Sequence, residues 1–216
     1  MSTNSKVAVI GLGNIGKAVA GNLIKSSRSV IIADRRQEKS QDLAAKLGSL
    51  AQPMAIPDAI KEAGIVILAV WFNAIKEVIE TYNTEFEGKI IVDPSNPVAP
   101  DEKGGFKKTI DANQSAGQLN SLYLPKNAKI AKALGTLGVA SLEGAAFQQP
   151  EKAVLFYATD DESINKEVEQ LIKDTGFDPV RAGGIDQSIR IEVFGDLHEF
   201  GALGKTVTLD EATKKI

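Results

Sequence analysis

The apolar residues of this chain fall into short runs separated by stretches with helical spacing. Residues 7–10, 30–33, 65–70 and 89–93 are runs of the kind a strand covered on both faces requires. Residues 37–47 place Leu43 and Leu47 on one face of a helix, and residues 73–82 do the same with Ile75, Val78 and Ile79. A short third strand is expected at 52–56. A short helix follows from Pro57, at a position that tolerates proline. Residues 65–70 are the most hydrophobic run and are expected to be central. Strands alternating with helices imply βαβ units and a parallel sheet.

The second half of the chain is less regular. Residues 94–105 read as a proline- and glycine-rich loop, 114–124 as a helix stopped by Pro125, and 128–134 as a sixth strand. Residues 135–144 read as irregular, 154–159 as a strand, 161–175 as an amphipathic helix, 178–182 as a last strand and 185–203 as helical. The pattern predicts an α/β, Rossmann-type doubly wound sheet, mostly parallel and extended by carboxyl-terminal strands and helices. One dinucleotide-binding domain is expected over residues 1–216. Its core would be 1–112, and 113–216 would complete an acceptor site.

The first strand runs into Gly11, Gly13 and Gly16, at G-x-G-x-x-G spacing, with Leu12, Asn14 and Ile15 between them. Ile15, Ala18, Val19 and Leu23 then recur at helical spacing. Strand, glycine turn and helix N-terminus in that order make a pyrophosphate cradle. Gly11 would allow the sharp turn, Gly13 would leave room for the phosphates, and Gly16 would let the helix pack close. Free N–H groups of the first helical turn would point at the anion.

The end of the second strand carries mixed signals. Asp34 lies eighteen residues after Gly16, where a carboxylate accepts from the adenosine ribose and favours NAD. Arg35, Arg36 and Lys39 follow, and a guanidinium with a nearby ammonium suits a 2′-phosphate. The cation count favours NADP over NAD, provided the Asp34 side chain turns away. Arg36 and Lys39 can equally be solvated surface charge.

Ligands in open α/β sheets lie across the carboxyl ends of the strands. That rule nominates Ala69, Val70 and Trp71 after the fourth strand, where Trp71 either covers a nicotinamide or packs in the core. It also nominates Asn96 and Pro97 after the fifth strand, with Asn96 able to bond the nicotinamide ribose or amide. Thr136 and Leu137 follow the sixth strand, where small residues leave space for a second planar ring.

Composition narrows the chemistry. The chain has 216 residues and no cysteine, which excludes disulfides and thiolate chemistry. A net charge of -3 without a long basic run argues against a nucleic-acid partner. The amino terminus lacks a leader pattern and no apolar run reaches spanning length, so a cytoplasmic protein with no membrane contact is expected.

With these loops assembled, the chain resembles the family of NADPH-dependent coenzyme F420 reductases and their bacterial relatives. The matching segments are VAVIGLGNIGKAVA, ADRRQEK, VDPSNPVAP, AKIAKALGTLG and FDPVRAGGIDQSIRIE, in the family's order. The resemblance implies that Gly11, Gly13, Asn14, Ile15 and Gly16 hold pyrophosphate and that Arg35 and Lys39 hold the 2′-phosphate. Val70, Asn96 and Pro97 would lie along the nicotinamide. It also implies a homodimer formed through the carboxyl-terminal tail. The chain departs from the family at Asp34, often serine or threonine, and at Leu134-Gly135-Thr136, where histidine or asparagine is common.

Carbonyl reduction needs a proton donor beside the hydride donor. Tyr123 and Lys126 are three apart, and Pro125 interrupts their segment. His198 is the only histidine, readable as a partly buried helix residue or as a pocket residue. No metal-ligand spacing occurs. No catalytic side chain and no metal site is therefore assigned. Hydride transfer between nicotinamide and a flavin-like ring needs mainly distance and orientation, which suits such a chain. The expected activity is NADP-dependent hydride transfer to a small-molecule acceptor of flavin or deazaflavin (F420-like) type. A redox-sensing NADP(H)-binding module without turnover is the alternative. A methyltransferase is disfavoured by the close-packed glycine helix and the Arg35-Arg36 pair.

Overall fold

The computed structural model describes residues 5–102 and 104–216. The first four residues of the segment read for a leader, and Lys103 of the proline- and glycine-rich loop, lie outside them. Strands β1 (Val7–Ile10), β2 (Val30–Ala33), β3 (Ala51–Pro53), β4 (Ile65–Leu68) and β5 (Ile90–Asp93) alternate with helices α1 (Asn14–Lys25), α2 (Gln37–Leu47), α3 (Ile56–Glu62), α4 (Phe72–Thr81) and α5 (Asn83–Phe86). A small hairpin follows, β6 (Val98–Pro100) and β7 (Phe106–Lys108), then α6 (Ala116–Ser121), β8 (Lys129–Lys132) and α7 (Val139–Gly144). The chain continues through β9 (Val154–Ala158), α8 (Asn165–Asp174), β10 (Asp178–Gly183), α9 (Ser188–Ile191) and α10 (Leu209–Ala212).

Eight strands form one sheet in the order β10-β9-β8-β5-β4-β1-β2-β3. All neighbours pair in parallel except β8 with β9. The expected doubly wound, mostly parallel architecture is therefore what the chain adopts. Strand β4 is central, as its hydrophobicity required, and the order reverses between β1 and β4. That switch point is where α/β sheets open a crevice.

Both faces of the sheet are covered, which is why the strands are apolar without alternation. Val7, Val9, Ile32 and Ile67 pack with Val19 and Leu23 of α1 on one face. Ala8, Ile10, Val66 and Leu68 pack with Ile60, Ile75 and Ile79 on the other. A third cluster joins Phe156 and Val180 to Leu197 and Val207 of the tail.

The sequence reading and the fold differ at five places. The third strand is Ala51–Pro53, not 52–56, because Met54 only closes the ladder through its N–H to the Ile32 carbonyl (3.1 Å). The loop at 94–105 contains β6, paired antiparallel with β7. The helix expected over 114–124 is six residues long, started by Ser115, whose hydroxyl accepts from the Gln118 N–H (3.2 Å). The stretch expected to be irregular holds α7, whose N-terminal Gly138 N–H is met by Glu199 across 61 residues of sequence (2.6 Å). That cap is invisible to local reading. Finally, the tail at 185–203 is mostly turns, not helix. Phe194 has φ +75°, and a Cβ on Gly201 would stand 1.8 Å from the Gly195 carbonyl oxygen. Glycine-mediated backbone packing takes the place of helical periodicity there.

Candidate functional site

The turn between β1 and α1 is built from glycine for steric reasons that differ residue by residue. Gly11 has φ +93°, and a Cβ on it would lie 2.5 Å from the Ala69 carbonyl oxygen. A Cβ on Gly16 would lie 1.9 Å from the Gly11 carbonyl oxygen, so α1 could not approach β1 with any other residue. Gly13 is different. A Cβ on it would meet no protein atom within 4 Å. It faces open space at the helix start, where only a ligand would gain from a missing side chain. The first main-chain bond of α1 runs from the Lys17 N–H to the Gly13 carbonyl (3.0 Å), so the N–H groups of Asn14, Ile15 and Gly16 have no acceptor among the described residues. These three donors and the bare Gly13 fit the pyrophosphate of a dinucleotide.

Leu12 is buried and contributes its backbone, not its side chain. Its N–H donates to Asp34 Oδ2 (3.0 Å). The Arg36 N–H donates to Asp34 Oδ1 (3.1 Å), and Lys39 Nζ stands 3.5 Å from Oδ2. Burial would raise the Asp34 pKa, but the two N–H donors and Lys39 together hold it below the usual carboxylate value. Asp34 thus braces the glycine turn from behind. Both carboxylate oxygens are already engaged by the turn and by Lys39, and the remaining lone pairs are what Asp34 could offer a ribose. Arg35 and Arg36 are exposed and form no ion pair among the described residues, whereas Lys39 is shared with Asp34.

The carboxyl ends of β1, β4, β5 and β8 surround a cleft of about 560 Å³. Gly13, Asn14 and Ile15 form one end, and Ala69, Val70 and Trp71 form a side. Trp71, at the start of α4, is 64% exposed, so packing in the core is excluded for it. Leu137 lines the cleft. Pro97 and Thr136 are buried and do not, a correction to the placement of both; Ser95 and Asn96 take their place on the wall. Thr136 faces inward because its segment is pulled under the β5 loop: a Cβ on Gly135 would lie 2.4 Å from the Pro94 carbonyl oxygen. Asn96 is a clamp. Its Nδ2 donates to the Gly135 carbonyl (3.0 Å) and its Oδ1 accepts from the Val193 N–H (2.7 Å). One amide hydrogen and one lone pair remain for a ligand.

The far end of the cleft was not legible in the sequence. Phe72, Val98, Phe106, Val193, Glu199 and Phe200 line it, drawn from the start of α4, the hairpin and the tail. His198 also lines it, but in a turn and 1% exposed, so it is neither helical nor partly buried. The Phe200 N–H donates to Nδ1 (2.9 Å), which fixes the tautomer and leaves Nε2–H to donate to the Gly135 carbonyl (3.0 Å). Burial pushes its pKa down to about 4, so the imidazole is neutral at physiological pH.

A buried ionic cluster supports this end from behind. Lys132 Nζ lies 3.1 Å from Asp93 Oδ2 and donates to the Ser95 carbonyl. Asp93 also accepts from the Ser95 N–H (2.7 Å) and from Asn120 Nδ2 (2.8 Å). Glu192 accepts from the N–H groups of Ala116 (2.9 Å) and Gly117 (3.0 Å). Burial raises the Glu192 pKa, against the opposing pull of Lys132 and the two N–H donors. The Ser95 hydroxyl is buried with no partner among the described residues. Among those residues there is also no cluster of three histidines or carboxylates able to hold a metal, and no helix long and apolar enough to cross a membrane.

Comparison with known proteins agrees with this geometry. Residues 6–97 match the family model described as NADP oxidoreductase, coenzyme F420-dependent. An F420-dependent NADP reductase of Methanocaldococcus jannaschii is 30% identical over 104 residues, 44% of this chain and 46% of the relative. Metalloreductase STEAP3 of Rattus norvegicus is 23% identical over 187 residues, 87% of this chain and 36% of the relative. The chain therefore spans less than half the length of these two curated relatives. A crystal structure of a hypothetical protein from Sinorhizobium meliloti, SMa0349, superposes with TM-score 0.82 at 28% identity, covering 94% of this chain and 95% of that one. Over residues 6–97, through the β1–α1 turn and the strands around it, the chain is thus similar to the coenzyme F420-dependent NADP oxidoreductases.

Proposed function

We propose that this chain binds NADP(H) and transfers hydride between it and a small, planar acceptor of flavin or deazaflavin type. One observation carries the reading: open space at Gly13, faced by three free N–H groups, leads directly into an apolar cleft wide enough for a second ring. NADPH, when bound, supplies the hydride. The chain's part is to hold and orient. Asn14, Ile15 and Gly16 would donate to the pyrophosphate, Arg35 would pair with the 2′-phosphate, and Asp34 would keep the turn rigid. Ala69, Val70, Asn96 and Trp71 would border the nicotinamide.

The placement of His198 favours an acceptor that needs no side-chain proton. Both its ring nitrogens are engaged with main chain, and its low pKa keeps the ring from being an imidazolium acid at neutral pH. Glu199, the only carboxylate on the wall among the described residues, accepts from the Gly138 N–H (2.6 Å) and from the Ser141 hydroxyl. A flavin-like ring takes its hydride without such a donor. Mixing the protein with NADPH and a panel of flavins, F420 and quinones under anaerobic conditions tests this. Oxidation of NADPH above background with at least one planar acceptor is expected. Nucleotide binding without any oxidation would favour the sensor alternative.

A further inference from the structure

The acceptor half of the cleft has a definite electrostatic sign. Trp71, Phe72, Phe106, Leu137, Val193 and Phe200 form its apolar surface, and no lysine or arginine lines it among the described residues. The charged group on its wall is the Glu199 carboxylate. Behind the wall lie two more carboxylates, Asp93 and Glu192, with one ammonium, Lys132, whose hydrogen bonds go to Asp93 and the Ser95 carbonyl. The hairpin beside Phe106 does not reverse this. Lys107 alternates to the opposite side of the strand, and Lys108 Nζ is spent on the carbonyls of Ala112 (3.0 Å) and Gln114 (2.7 Å). An anionic group entering this space would lose its hydration, find no cation among the described residues and face a carboxylate. The cations that could receive an anion, Arg35 and Arg36, are at the nucleotide end.

Resting on the hydride-transfer reading above, we propose that the acceptor taken by this site is an uncharged planar molecule, and that phosphorylated or otherwise anionic versions of the same ring are rejected. The acceptor ring gains a hydride from NADPH and a proton from solvent, giving the dihydro form and NADP⁺. Charge, not ring shape, separates the good acceptors from the poor ones.

Riboflavin and FMN share one ring and differ by a phosphate, so they isolate charge. Trp71 is the only tryptophan and stands at the cleft, which makes its fluorescence a direct binding signal. In the presence of NADP⁺, riboflavin should quench it with a Kd at least tenfold below that of FMN, and NADPH oxidation should show the same preference. Ala140→Lys places a cation on an exposed lining position of α7. It should raise the affinity for FMN relative to riboflavin at least fivefold, whatever it does to both in common. FMN binding as tight as riboflavin, or an Ala140→Lys variant with an unaltered ratio, would overturn the charge rule while NADPH oxidation still upheld the activity. Failure of both flavins to quench would overturn this inference alone, and failure of the whole acceptor panel to oxidise NADPH would remove the activity reading as well.

Discussion

The β1 end of the cleft presents main chain to a ligand; the β5–β8 end presents side chains from separated segments. The first end needs three glycines, one carboxylate brace and a helix start, all within residues 11–39. The second end needs the start of α4, the β5 loop, the hairpin and the tail to converge. Behind it lies a buried cluster of Asp93, Lys132, Asn120 and Glu192. In the proposed reading, the first part is one that any dinucleotide-binding chain can reuse, and the second is the part that would select the acceptor.

The largest effect should come from breaking the second end. Lys132→Met leaves Asp93 buried without its ammonium, and a loss of about 3–5 kcal/mol in urea unfolding is expected. A loss under 1 kcal/mol would mean that Asn120 and the Ser95 N–H already satisfy Asp93.

Arg35→Ala acts on the first end alone. It should weaken NADPH by about 1.5–3 kcal/mol more than NADH, since a charged hydrogen bond to the 2′-phosphate is lost. Calorimetry with both nucleotides measures the difference, and equal losses would show that Arg35 does not read the phosphate.

A smaller effect concerns His198. Its pKa is lowered from 6.5 to about 4 on folding, so the folded state binds fewer protons than the unfolded one. Its contribution is complete above the unfolded value and falls as pH drops from 6.5 toward 4. About 2 kcal/mol should be lost by roughly pH 5. His198→Gln should flatten this part of the stability-pH curve. An unchanged slope in the variant would place the pH dependence elsewhere.

The two ends also differ in how far the sequence revealed them. The cradle was readable because each of its parts is local: Gly11, Gly13 and Gly16 lie in one turn, and Asp34 closes the next strand. Even so, the direction of the Asp34 carboxylate was not readable, because the N–H it meets belongs to Leu12, 22 residues away. The sheet was legible for the same reason, since buried parallel strands announce themselves as apolar runs. The acceptor end was not. Glu199 caps a helix 61 residues earlier, and Asn96 bonds Val193 across 97 residues. Phe200 and His198 sit in a glycine-rich tail whose turns mimic no periodic element. Lys132 and Glu192 meet Asp93 and α6 only once the strands are assembled; charged residues in an apolar strand such as β8 were the signal available.

The central claim is that main-chain donors around Gly13 grip a dinucleotide diphosphate. Calorimetric titration of NADPH into the wild-type chain and into Gly13→Val, with thermal melting measured on both, tests it most directly. A Cβ there meets no protein atom within 4 Å, so melting should change little while affinity falls at least ~100-fold, about 2.7 kcal/mol. Equal NADPH affinity in the two proteins would contradict the assignment of this turn as the nucleotide site.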